Sequence, residues 1–145
     1  MLRRKARIAA LQVLFQTDMR NKKVEDVLPY FEIPEEWDED TLSFFLCLVR
    51  GVEDKKKEID EILSQSSQEW PLYRMANVDR NILRLAVFEI LFLPEVPVSV
   101  AINEAVELGK EYGIEESGKF INGVLGQLVK NLEEKGDGLP KREKT

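Results

Sequence analysis

Apolar residues along this chain recur at three- and four-residue steps, with almost no alternation of period two, so nearly every segment reads as helix. The first helix spans about Arg3 to Asp18, with Ile8, Leu11, Leu14 and Phe15 in its apolar pattern and a polar turn at 20–23. A short helix follows over about Val24 to Phe31, and Pro29 predicts a kink or early end. After an acidic connection, Pro34 to Asp40, one long helix begins near Asp38–Thr41. It carries Leu42, Phe45, Leu46, Val49, Val52, Ile59, Ile62 and Leu63 to a stop at Ser64–Ser67. Gly51 within it marks a bend or a close approach by a neighbour.

The segment Val78 to Leu93, with Asn77 as N-cap, is apolar on most sides, which predicts a central buried helix ended by Pro94 and Pro97. Ser99 is expected to cap a helix over Val100 to Tyr112 that Gly113 closes, and a last helix runs from about Glu115 to Leu132. The expected fold is all-α: six to seven helices in two packed three-helix-type bundles, about 1–66 and 70–134, within one domain at 1–134. From Lys135 a polar, disordered tail runs to 145.

The 145 residues are 43% hydrophobic with a formal net charge of −6, so any polyanion would meet a local patch rather than the whole surface. Between Val24 and Val49 no Lys or Arg occurs, while Arg3, Arg4, Lys5 and Arg7 crowd the first helix. These cations oppose the positive end of the helix dipole, at a cost of roughly 0.3–1 kcal/mol each, which points to an anionic partner. The plain alternative is a solvated helix end, with all four side chains exposed.

Histidine is absent and Cys47 is single, which removes the commonest general base, any intrachain disulfide and the usual zinc ligand sets. Cys47 lies in an apolar run and reads as a core thiol. Glu89 lies in the buried helix and reads as a carboxylate paired with an arginine or a backbone donor rather than a tuned acid. No enzyme, cofactor or metal is expected. Charged residues break every long apolar run, so no membrane span is expected either, and a cytoplasmic protein is the default.

Two further regions carry recognition chemistry. Lys119, Phe120 and Asn122 combine cation, aromatic ring and amide, the equipment of single-strand binding. Phe120 as a core residue is the plain alternative. Gly118, Gly123 and Gly126 cost helix propensity, which close helix packing would explain. At the start of the central helix, Asp79, Arg80 and Arg84 are charges that must sit where the helix surfaces, as on an interface rim.

Three stretches together, RRKARIAALQVLF, VDRNILRLAVFEIL and VAINEAVELGKEYG followed by KFINGVLG, resemble the NusB family of transcription antitermination factors from Arg3 to about Leu128. The resemblance implies two packed helical bundles that bind single-stranded boxA RNA of nascent ribosomal RNA transcripts. It implies NusE, a small-subunit ribosomal protein, as partner, within a complex of other Nus factors and RNA polymerase. By position it assigns RNA contacts to Arg3, Arg4, Lys5 and Arg7 and to Lys119, Phe120 and Asn122. It places Phe15, Asp79, Arg80 and Glu116 on the partner side. Phe15 stands where relatives often carry Tyr, so a hydroxyl is missing there. Two other readings stay open: an RNA-targeting domain of a ribosomal RNA cytosine methyltransferase, and a helical adaptor without RNA. A homodimer that buries the basic helix also stays open.

Overall fold

The computed structural model of the chain describes residues 2–135, and every regular element among them is helical. These are α1 (Arg3–Arg20), α2 (Val24–Val27), α3 (Glu39–Asp54), α4 (Lys56–Ser66), α5 (Asn77–Phe92), α6 (Val98–Tyr112) and α7 (Ser117–Glu134), with 3-10 turns at Leu28–Tyr30 and Leu72–Arg74. The tail expected beyond Lys135 lies outside the described residues.

The apolar run of α5 makes it the hub, as its periodicity predicts. Every residue from Asn81 to Ile90 is buried, and α5 packs on α1, α3, α4, α6 and α7. Around it α1 lies on α3, and α6 pairs with α7. Fully buried Phe45, Leu48, Leu63, Ile82, Leu125 and Leu128 fill the space between. Each such side chain contributes about 1.5–3 kcal/mol relative to exposure.

The single long helix expected after Asp38 is two helices. The start is as predicted: the Asp38 carboxylate accepts the Thr41 amide at 2.8 Å and its hydroxyl at 2.6 Å. The chain then breaks at Lys55 (φ −102°, ψ 12°), and α4 turns away to lie on α5 and α7. Gly51 is a point of close approach: the Phe88 ring occupies the space a Cβ would need. Cys47 is on the surface, not in the core. Partial burial and the charge of Glu95 push its thiol up, away from the reactive thiolate.

Helix ends differ from expectation for local reasons. Helix α1 runs on to Arg20, and Asn21 ends it in the left-handed region (φ 53°), which lets the Lys22 amide donate to the Thr17 carbonyl at 3.0 Å. Asn77 is already helical; its side-chain oxygen accepts from Asn81 Nδ2 at 2.6 Å instead of capping. Helix α6 starts two residues early because Pro97, with φ near its fixed value, takes the N-cap and its carbonyl accepts from Val100 and Ala101. Helix α7 starts at Ser117, whose hydroxyl accepts the Ile114 amide at 2.9 Å.

Candidate nucleic-acid interface

The four cations at the start of α1 do not share one environment. Arg7 is only 5% exposed, which corrects the expectation of a solvated cluster. It lies on the same helical row as Leu11 and Leu14, and that row faces the core. Its Nε lies 2.9 Å and 3.1 Å from the Glu89 carboxylate oxygens, and its Nη2 donates to Glu89 Oε1 at 2.7 Å. Burial pushes the Glu89 carboxyl up, and the Arg7 hydrogen bonds and charge pull it back. Glu89 thus is the paired buried carboxylate its sequence position suggests.

Arg4 is exposed but tethered. Its Nε donates to Glu104 Oε1 at 3.0 Å and its Nη2 to Oε2 at 2.6 Å, a two-pronged pair. That bond holds the Glu104 carboxyl below the usual carboxylate range against partial burial, aided by the charges of Arg4 and Arg7. Arg3 lies half-buried, its guanidinium 4.1 Å from the Phe44 ring centroid, and its Nε has no hydrogen-bond partner among the described residues. Lys5 is exposed and forms no ion pair among the described residues.

The result is a helix end held from beneath. Glu89 and Glu104 fix Arg7 and Arg4, and Phe44 supports Arg3. Arg3, Arg4 and Lys5 present charge outward, and Arg7 holds the helix to α5. Fixed cations of this kind lose less side-chain entropy when they meet phosphate.

The second region stands apart. Helices α1 and α7 are not packed neighbours. Lys119 and half-buried Phe120 instead line a groove of about 650 Å³ between α7 and the connector after α4, where Gln65, Trp70 and Gln127 also contribute. Asn122 is exposed on α7 beside it. Close helix packing accounts for Gly118, which meets Lys110 and Val106 of α6. It does not account for Gly123 and Gly126, where a Cβ would have nothing within 4 Å.

Of the residues that the resemblance assigns to a partner, Phe15 lines a smaller apolar groove of about 350 Å³ with Leu11, Phe31, Val78 and Tyr112. Tyr112 falls on the apolar face of α6 by its spacing, yet it is 40% exposed. Glu116 is exposed at the N-cap of α7. Asp79 is 7% exposed, and its Oδ1 has no hydrogen-bond partner among the described residues.

Arg80 and Arg84 are not a rim. Arg80 Nε and Arg84 Nη1 donate to Asp18 Oδ2 at 2.9 Å and 3.1 Å, joined by Asn81 Nδ2 at 3.0 Å. Arg84 also forks onto Asp60 at 2.8 Å and 2.9 Å. Arg80 Nη1 reaches the carbonyls of Leu72 and Met75. This network ties α1, α4, α5 and the connector together. Glu104 could not be picked out from the sequence, because the Arg4 it pairs with is 100 residues away.

Among the described residues no helix is long and apolar enough to cross a membrane. The NusB family model matches residues 4–130. A transcription antitermination protein NusB from Desulforapulum autotrophicum is 44% identical over 135 residues, covering 90% of this chain and 94% of that protein. The solved NusB of T. maritima superposes with a TM-score of 0.84 at 36% identity, covering 95% of this chain and 99% of that one. A crystal structure of antitermination factors NusB and NusE in complex with double-stranded RNA superposes with a TM-score of 0.76 at 31% identity, covering 90% and 99%. The matched span takes in Arg4 and Arg7 of α1, the buried α5 and most of the α6–α7 pair, and the chain belongs to the NusB family.

Proposed function

We propose that this protein is a transcription antitermination factor without catalytic activity of its own. It binds boxA RNA of nascent ribosomal RNA transcripts together with NusE and, with other Nus factors, supports processive transcription by RNA polymerase in the cytoplasm. The observation that carries this is the start of α1: Arg3 rests on Phe44 of α3, Arg4 pairs with Glu104 of α6, Arg7 anchors the helix to Glu89 of α5, and exposed Lys5 stands beside them. A solvated helix end has no need of such supports. Crystallisation of a NusB relative of this fold with NusE and RNA supports the same reading.

In this reading Arg3, Arg4 and Lys5 contact phosphate, Lys119, Phe120 and Asn122 contact a second part of the strand, and Arg7 is a positioning residue. Phe15 and Glu116 meet NusE. Asp79 acts beside them, and Arg80 braces the connector. The chain is read as one domain of two helix groups, α1–α3 and α4–α7, parted at Lys55, since α4 packs on α5 and α7. Fluorescence anisotropy with boxA RNA and a scrambled strand, with and without NusE, tests the function. Tighter binding of boxA, strengthened by NusE and weakened by salt, is expected. Equal affinity for both strands with no gain from NusE would refute it.

A further inference from the structure

The connector between α4 and α5 is pinned at both ends, yet it turns its aromatics outward. The Ser67 hydroxyl donates to the Trp70 carbonyl at 2.9 Å, and the Trp70 amide donates to the Ser67 carbonyl at 3.1 Å. At the other end Arg80 holds the carbonyls of Leu72 and Met75 at 3.0 Å and 3.1 Å. Between these anchors Trp70 is 45% exposed and Tyr73 is 82% exposed. Arg74 lays its guanidinium 5.3 Å from the Trp70 ring centroid. The fixed loop therefore keeps a large part of both rings open to a ligand.

The groove beside Trp70 has the matching chemistry. Lys119 and Phe120 stand on its far wall, with the amides of Gln65, Gln127 and Asn131 along it. Gly123 leaves part of the α7 wall bare, with nothing within 4 Å of a Cβ. A glycine in a helix interior is less stable than alanine would be, and no internal packing here offsets that cost. Gln65 accepts from Lys135 Nζ at 3.2 Å. One carboxylate, Glu69, lines the groove. One cation, Lys119, lines it as well, while Arg74 lies against the Trp70 ring and Lys135 bonds to Gln65 of the lining.

We infer that the groove between the Ser67–Arg74 connector and α7 takes unstacked bases of single-stranded RNA, with Trp70 as a stacking platform and Gly123 as the bare wall that lets the strand approach α7. The inference rests on the RNA-binding reading above and extends it from Lys119 and Phe120 to the opposite wall. Stacking on an aromatic ring is tolerant of sequence, so the groove adds affinity and length to the bound strand rather than base readout.

The test uses the full chain carrying Trp37→Phe, which leaves Trp70 as the single tryptophan. A boxA-bearing single strand is titrated against it, and tryptophan emission and anisotropy are read together. Gly123→Gln fills the groove with a good helix former, and Gly126→Gln places the same side chain on α7 outside the groove lining. Quenching of Trp70 emission is expected, with binding weakened about tenfold by Gly123→Gln and unchanged by Gly126→Gln. Thermal melting checks that both variants fold, and the Trp70 signal alone decides if either does not. RNA binding without quenching, or with equal affinity in both glutamine variants, would overturn the groove assignment and leave the function standing. Quenching by NusE in the absence of RNA would assign the groove to protein and overturn it as well. No RNA binding by any form would overturn the antitermination reading and this inference with it.

Discussion

Replacing Arg7 is expected to destabilise the fold rather than to remove a direct phosphate contact. Arg7 and Glu89 are 5% and 2% exposed, so water screens their pairing little. Arg7→Leu removes three short N–H to carboxylate hydrogen bonds at 2.7–3.1 Å and leaves Glu89 charged and unpaired between helices. Breaking a buried pair from one side costs about 3–5 kcal/mol, against a total domain stability of about 5–15 kcal/mol. In urea the unfolding midpoint should fall by about 2 M at neutral pH. Arg7→Leu with Glu89→Leu removes both charges and should recover most of the stability, because leucines replace a desolvated pair without leaving an orphan.

The pH dependence supplies an independent check. Burial already raises the Glu89 pKa, and loss of Arg7 removes what pulls it down, so the folded variant binds a proton more readily than the unfolded chain. A raised carboxyl contributes stability that is fully present below its unfolded pKa and is lost as pH rises through the folded value. The deficit of Arg7→Leu against the parent should therefore shrink as pH falls from neutrality toward 4.5, the ordinary value for this carboxyl. A single variant within about 1 kcal/mol of the parent at pH 7, or a double variant no better than the single, would refute the buried-pair argument.

Asp18 gives the opposite pH signature. Burial works against its charge, but hydrogen bonds from Arg80 and Asn81 and the charge of Arg84 outweigh it, so its pKa lies below the ordinary 3.8. Its stabilisation is present above that ordinary value and is lost as pH falls through the folded one, so Asp18→Asn should flatten the acid limb of an unfolding curve. Gly51→Ala should destabilise by about 1–3 kcal/mol in chemical denaturation, because the added methyl overlaps the ring of buried Phe88, which must then shift within the core. Gly123→Ala, facing open space, should stabilise by up to about 1 kcal/mol. Lys5→Ala should leave the melting temperature unchanged. It should make the dependence of log K on log salt shallower by about 0.7 for each phosphate that Lys5 neutralises, read by anisotropy with boxA RNA.

Helix identity was legible because α1, α5, α6 and α7 each keep a 3.6-residue apolar period, and all-round apolarity marked α5 as the hub. The break at Lys55 was not, because Val52 before it and Ile59 and Leu63 after it keep one apolar rhythm across two helices that both face α5. No glycine or proline stands at the break itself, and the reason for it is tertiary: α4 must reach α7. The basic cluster was half legible. Arginine at a helix start reads alike whether it meets phosphate or a buried acid, and the acid that decides the matter for Arg7 is 82 residues away.

Two local facts nevertheless bore on that pairing. Arg7 falls on the row of Leu11 and Leu14, where a side chain points into the core. Glu89 falls in an apolar helix, where a carboxylate demands a partner. A buried cation position and a buried anion position in one small domain each carry a cost that the other removes, so their pairing follows from the need to satisfy both. With Arg7 assigned inward, the outward face of α1 reduces to Arg3, Arg4 and Lys5. In the proposed RNA-binding reading, Glu89 and Glu104 act at one remove from the strand: through Arg7 and Arg4 they fix the position of the helix that carries those three charges.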